Sequence, residues 1–171
     1  DVQSSEYSEQ LPIWGPNDTC QTRVDTYHHI FNGCKRPVIL AGHGVKLARA
    51  QSEFKKLLKV PILLSWSSID LITHTDDMYF GMPGIYGQRC ANMIIQECDV
   101  LLVIGSRLAI PQTGYNVSNY AKNARIIVVD IDHTEDKSFV DEYIHVDCLN
   151  FIQNFDIPDH TQYTQWVKRC I

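Results

Sequence analysis

The chain has 171 residues, 44% of them hydrophobic and 20% charged, enough for one domain with a full core and too few for two ordinary ones. A formal net charge of −5, with no Lys/Arg run, excludes the electrostatic footprint of a phosphate-polymer binder, so no nucleic-acid partner is expected. The longest apolar runs, "VLLVIG" and "IIVV", fall far short of the ~20 residues of a membrane-spanning helix, and neither a membrane partner nor a signal peptide is expected.

Residues 1–19, "DVQSSEYSEQLPIWGPNDT", are polar, carry two prolines and show no period, which predicts an extended connector. The chain opens on Asp1 rather than Met, as expected of a piece of a longer polypeptide. Thr19 is placed to cap a helix through "CQTRVDTYHHIFN", with Gly33 ending it. "PVILA" reads as a strand, followed by a helix with Leu47, Phe54, Leu57 and Leu58 on one face, then by the strand "PILLSW". After the loop "GMPGIYG", the segment "QRCANMIIQEC" predicts a helix with Cys90, Ala91, Ile94, Ile95 and Cys98 inward. "DVLLVIGS" is a third strand, "YNVSNYAKNA" a short helix or turn, "RIIVVDID" a fourth strand and "YIHVDC" a fifth. The tail "TQYTQWVKRCI" looks like the start of a helix whose Trp166 and Val167 have little to pack against.

Strands that are continuous in Val, Ile and Leu indicate a parallel sheet covered on both faces. The expected fold is α/β: an open, doubly wound, Rossmann-like parallel sheet of about five to six strands, of the DHS-like NAD/FAD-binding type. The six cysteines include no C-x-x-C pair and suggest free thiols in a reducing cytoplasm, where the protein is expected to reside. The seven histidines are scattered, so no metal site is expected; adjacent His28 and His29 cannot share a helix face.

Ligands of such sheets bind beyond the carboxyl ends of the strands. The candidate turns are therefore Gly42-His43-Gly44, Ser65-Trp66, Gly105-Ser106-Arg107, Asp130-Ile131-Asp132 and Asp147-Cys148. Glycines there could let backbone N–H groups reach an anion, Arg107 could pair with a pyrophosphate, and Asp130 or Asp147 could accept from ribose hydroxyls. The plain alternatives are a simple turn at Gly42-His43-Gly44, since Leu47 occupies the place of the third fingerprint glycine, helix caps at the aspartates, an ion pair at Arg107, and packing at Trp66 and Tyr86. Three glycines and a proline within residues 81–87 favour a binding loop. No catalytic Ser/His/Asp order, carboxylate pair or P-loop is present, so no catalytic residue is expected here.

In order, "RPVILAGHGVKLA", "VPILLSW", "MYFGMPGIYG", "CDVLLVIGSRL" and "ARIIVVDID" resemble the central domain of thiamine-diphosphate-dependent enzymes of the acetolactate synthase type. The likeness runs from about Cys20 to Cys148, and "MYFGMPGIYG" with "GSRLAIPQTG" is its most specific part. It implies that residues 20–157 form a central α/β domain, that residues 1–19 link it to an N-terminal pyrimidine-binding domain, and that residues 158–171 link it to a C-terminal pyrophosphate-binding domain.

The resemblance further implies a parent enzyme that decarboxylates a small 2-oxo acid such as pyruvate on thiamine diphosphate and joins the carbanion to an acceptor, a transferase or lyase that is a homodimer or homotetramer at full length. Thiamine diphosphate and Mg2+ would be bound by the flanking domains, so the fragment alone would be inactive. In members of the family this domain holds FAD, an adenine nucleotide or nothing, and FAD or ADP, where bound here, would be held through Gly42, His43, Gly44, Ser65, Trp66, Gly84, Ile85, Tyr86, Gly105, Ser106, Arg107, Asp130, Ile131, Asp147 and Cys148. Acetolactate synthases usually read Gly-Met-His-Gly where this chain has Gly84-Ile85-Tyr86-Gly87, and an acidic and basic stretch where it has Ala109-Ile110-Pro111-Gln112. These departures point to a different acceptor or an empty nucleotide pocket. The rival roles are a structural spacer and subunit-interface domain without nucleotide, and an independent NAD-dependent enzyme such as a sirtuin-type deacylase; the latter lacks a catalytic His in a Gly-rich context and zinc-binding Cys pairs.

Overall fold

Strands β1 (Pro37–Ala41), β2 (Ile62–Leu64), β3 (Val100–Ile104) and β4 (Arg125–Val129) are runs of Val, Ile and Leu buried on both faces, apart from exposed Arg125 at the start of β4. Residues with apolar side chains on both faces cannot sit at a wetted surface, and in the computed structural model they form the interior of one all-parallel sheet in the order β2-β1-β3-β4-β5. The fifth strand, β5 (Glu142–Ile144), is half-buried at the edge. The structure describes residues 27–132, 134, 136–157 and 160–171; the connector expected over 1–19 and most of the helix expected from Cys20 lie outside them.

The period of two along each strand divides the core into two layers. Ile39, Ala41, Leu102 and Ile104 face one way, onto Phe54, Phe151 and Phe155. Val38, Leu40, Leu101 and Val103 face the other way, onto Ala91, Ile94, Ile95 and Trp166. Helices α1 (Gly44–Leu47), α2 (Gln51–Phe54) and α5 (Cys148–Asn154) carry the first layer, and α3 (Arg89–Glu97) and α6 (Thr164–Cys170) the second. The result is the open, doubly wound, Rossmann-like sheet expected. No described helix is long and apolar enough to cross a membrane.

Several local expectations are corrected. The helix expected between β1 and β2 is broken at Arg49, which has φ 55°, into α1 and α2. The break resets the helical phase, so Leu47 is 73% exposed while Phe54 and Leu57 remain in the core. Cys90 is exposed, because the inward stripe of α3 runs through Ala91, Ile94 and Ile95 and Cys90 lies about 100° away from it. The described part of the first expected helix is a single 3-10 turn, His28–Phe31. The fifth strand stops at Ile144, and Asp147 and Cys148 belong to the start of α5 instead.

The largest correction concerns the C-terminal tail. Trp166 is 4% exposed, its indole N–H donates to the Pro37 carbonyl at 3.0 Å, and Arg169 pairs with Glu97 of α3 at 2.6 Å. Tyr163, buried in the opposite layer, meets the Cys34 thiol at 3.5 Å. The tail therefore packs beneath the start of β1 rather than waiting for a partner. Replacing Trp166→Ala should cost about 3–5 kcal/mol of stability. Trp66→Ala, at a 70% exposed position, should stay within about 0.5 kcal/mol. Urea unfolding followed by circular dichroism checks both; equal, small effects would return the tail to the role of a loose connector.

Candidate functional site

In the strand order β2-β1-β3-β4-β5 the chain turns to opposite sides after β1 and β3, which opens a crevice at their carboxyl ends. The crevice is closed at its base by backbone. The N–H of Gly42 donates to Ile104 at 2.8 Å, that of Gly44 to Gly105 at 2.9 Å, and that of Gly105 to Val129 at 2.8 Å, so the sheet's hydrogen bonding continues past the strand ends. A side chain at Gly42 would come within 2.5 Å of the Ser106 Cβ, and one at Gly44 within 2.6 Å of the Gly105 Cα. Gly105 itself has φ 62°, the left-handed region that glycine enters without cost. These glycines are needed because two backbones touch.

The loop at residues 81–87 is held from both sides. Gln88 and Asn92 stand one helical turn apart at the start of α3. The Gln88 amide oxygen accepts from the Met82 N–H at 2.6 Å, while Asn92 both accepts from the Gly84 N–H at 2.8 Å and donates to the Gly84 carbonyl at 3.0 Å. On the other side, the Ile85 N–H donates to Pro111 at 2.8 Å, tying the loop to α4 (Ile110–Thr113). Gly84, with φ 117°, makes the turn that leaves Tyr86 76% exposed.

Between these walls lies a cleft of about 900 Å³, and every strand end contributes to it. Of the fifteen residues singled out from sequence, twelve line it: His43, Gly44, Ser65, Trp66, Tyr86, Gly105, Ser106, Arg107, Asp130, Ile131, Asp147 and Cys148. Gly42, Gly84 and Ile85 do not; Gly42 and Gly84 shape the turns, and Ile85 points its side chain elsewhere at the surface. Met82, Pro83, Gly87, Pro111 and Gln112 also line the cleft and were missed, although all five lie within the stretches "GMPGIYG" and "GSRLAIPQTG". Leu47, hidden from sequence by the broken helix, also lines it, as do Ala48, Ser67, Ala109 and Thr134, and Asp132 of the candidate turn at the end of β4 lines it as well.

Several polar groups in the cleft have an intramolecular task, while the Gln112 amide nitrogen is buried without a partner. The Ser106 hydroxyl donates to the Gln112 amide oxygen at 3.0 Å. The His43 Nδ1 lies 3.1 Å from the Ser67 carbonyl, and Arg107 lies 3.6 Å from Asp132. Asp147 caps α5, accepting from the Leu149 and Asn150 N–H groups at 2.9 and 3.3 Å, as an N-cap carboxylate does. Burial, and then the nearby Asp130 and Asp147 carboxylates, push the Cys148 thiol up to about 12, so it stays protonated at neutral pH and is no nucleophile. Among the described residues no group of His, Cys, Asp and Glu side chains is arranged to hold a metal ion.

Because Gly44 has no room for a β-carbon, Gly44→Ala should cost about 1–3 kcal/mol through overpacking against Gly105, in the absence of any ligand. Thermal unfolding of the two chains measures this; an unchanged transition would mean that the two turns are not in contact.

A family model described as thiamine pyrophosphate enzyme, central domain, matches residues 24–155. Among curated proteins, the acetolactate synthase large subunit of Cyanidium caldarium is 31% identical over 127 residues, covering 72% of this chain and 21% of that protein. The probable acetolactate synthase large subunit of Methanocaldococcus jannaschii is 36% identical over 148 residues, 79% of this chain and 25% of the relative. That of Methanococcus aeolicus is 39% identical over 104 residues, 59% of this chain and 17% of the relative. The chain spans a quarter or less of the length of these relatives.

Proposed function

The chain belongs to the family of thiamine pyrophosphate enzyme central domains, and from that premise we propose that it is the non-catalytic middle domain of an acetolactate-synthase-like enzyme acting on a small 2-oxo acid. The observation that carries the reading is the state of the cleft's reactive groups. The Ser106 hydroxyl is spent on Gln112, one Asp147 oxygen caps α5, the His43 Nδ1 faces the Ser67 carbonyl, and the Cys148 thiol is held protonated. A site that performed proton transfer or nucleophilic attack would present such groups to a substrate.

In this reading residues 1–19 and 158–171 connect to an N-terminal pyrimidine-binding and a C-terminal pyrophosphate-binding domain, and the latter segment is anchored on the way by Tyr163 and Trp166. Thiamine diphosphate and Mg2+ belong to those flanking domains, where the cofactor supplies the electron sink that lets a 2-oxo acid lose carbon dioxide. The full-length protein is a homodimer or homotetramer.

FAD or ADP is the ligand that the resemblance implies for this domain. A cleft of about 900 Å³ has room for either, and Trp66 and Tyr86 offer flat faces. The polar lining does not fit their diphosphate: the Gly44 N–H is already bonded to Gly105, and Arg107, the one guanidinium among the described lining residues, lies 3.6 Å from Asp132. A spacer role without nucleotide draws support from the exposed Ile85, Tyr86, Ile110 and Tyr115, which lie on segments joined by the Ile85 to Pro111 hydrogen bond and would suit a contact with a neighbouring domain.

The test is carbon dioxide release from pyruvate and a panel of other 2-oxo acids, with thiamine diphosphate and Mg2+ present. The full-length polypeptide should release it and the 171-residue chain should not exceed buffer. Release by the chain alone, or none by the full-length protein with any 2-oxo acid, would overturn the assignment.

A further inference from the structure

Helix α4 lines the cleft through Pro111 and Gln112, yet none of its residues is buried. A single helical turn that buries nothing holds its place weakly. Both of its ends are rooted in the domain through left-handed residues. On the near side Leu108 is buried in the core layer of α3 with φ 49°, a conformation that works against a residue with a β-carbon. On the far side Gly114 has φ 76°, and Asn119 beyond it is fastened to α3, its carbonyl accepting from the Gln96 amide at 2.9 Å. Among the described residues two hydrogen bonds tie α4 itself to the rest of the domain: the Ser106 hydroxyl donates to the Gln112 amide oxygen at 3.0 Å, and the Ile85 N–H donates to the Pro111 carbonyl at 2.8 Å. The fit is incomplete, because the Gln112 amide nitrogen is buried without a partner, and an unmade buried bond opposes the position that buries it. The loop opposite is better fixed. Asn92 of α3 holds both the N–H and the carbonyl of Gly84.

We propose that α4 is a latched lid: residues 109–113 swing about Leu108 and Gly114, away from the loop at residues 81–87, and so open and close one wall of the cleft. The latch is the pair of bonds from Ser106 to Gln112 and from Ile85 to Pro111. Opening breaks both, releases Leu108 from its left-handed conformation and gives the Gln112 amide to water, so the bonds lost are partly offset. The strand ends and the loop at residues 81–87 stay where they are, since α3 holds that loop from its other side. Hinges of this kind are a few residues at element ends that absorb a change in φ and ψ. The lid is a property of the domain and does not depend on the reaction of the parent enzyme.

Amide hydrogen exchange of the ligand-free chain, read by nuclear magnetic resonance, tests it, with the Ile85 N–H as the reporter because it sits on the fixed loop and is bonded to the lid. Ser106→Ala, which removes half of the latch, should speed exchange at Ile85 about tenfold. Gly114→Ala should do the same; its added β-carbon has nothing within 4 Å, so the change acts through the backbone of the hinge alone. In both variants the Gly84 amide, bonded to Asn92, and the Gly44 amide, bonded to Gly105, should stay within about twofold of the parent chain. Gly33→Ala is the matched control, also at a left-handed position, φ 73°, with nothing within 4 Å of the new carbon, and it should leave Ile85 within about twofold. Three results would overturn the proposal: no response of Ile85 to either lid variant, Gly84 speeding up together with Ile85, which would make the loop the moving part, or an equal response of Ile85 to Gly33→Ala. None of them bears on carbon dioxide release by the full-length protein, so the two readings fail separately.

Discussion

The N–H of Gly44 points at the carbonyl of Gly105, 2.9 Å away, and the backbones of the two turns lie in contact. Much of the domain depends on that approach. Continuing the β1 to β3 pairing by one more hydrogen bond draws the start of α1 over the end of β3, which brings Val45 into the core and places His43 against Ser67. Gly105, in its left-handed conformation, leads the chain into Ser106, whose hydroxyl orients Gln112. In turn, the segment around Pro111 holds the loop that carries Tyr86. The floor of the cleft and both of its walls thus follow from two glycines being small enough to touch.

The same contact gives the Gly-His-Gly turn a structural use within the domain. In a dinucleotide-binding turn, glycines clear space so that N–H groups can face a phosphate. In this chain the space is filled by another part of the protein, and an N–H already bonded at 2.9 Å is no longer available to a ligand. The sequence pattern is compatible with both arrangements because it records only the missing side chains, not what occupies the place they vacate.

The sheet was legible from sequence because strands buried on both faces must be apolar throughout, and "PVILA", "VLLVI" and "IIVV" meet that requirement without ambiguity. The strand-end turns that line the cleft were legible for a topological reason, since a parallel sheet brings its carboxyl ends together. Leu47 was misplaced because a positive φ at Arg49 is not written in composition. Trp166 was misplaced because its neighbours, Pro37 and the α3 stripe, are more than sixty residues away along the chain. Gln112 and Pro111 stand out in sequence only as a departure from the acetolactate synthase pattern; their structural use comes from bonds to Ser106 and Ile85, which no local pattern announces.

The central claim is that the first-turn N–H is used inside the domain. Amide hydrogen exchange at Gly44, read by nuclear magnetic resonance in the ligand-free chain, tests it directly. The account predicts protection comparable to that of the β3 amides and no change of the Gly44 resonance on adding inorganic phosphate. Fast exchange, as in an exposed loop, together with a shift of that resonance on adding phosphate, would show an N–H waiting for an anion and would contradict it.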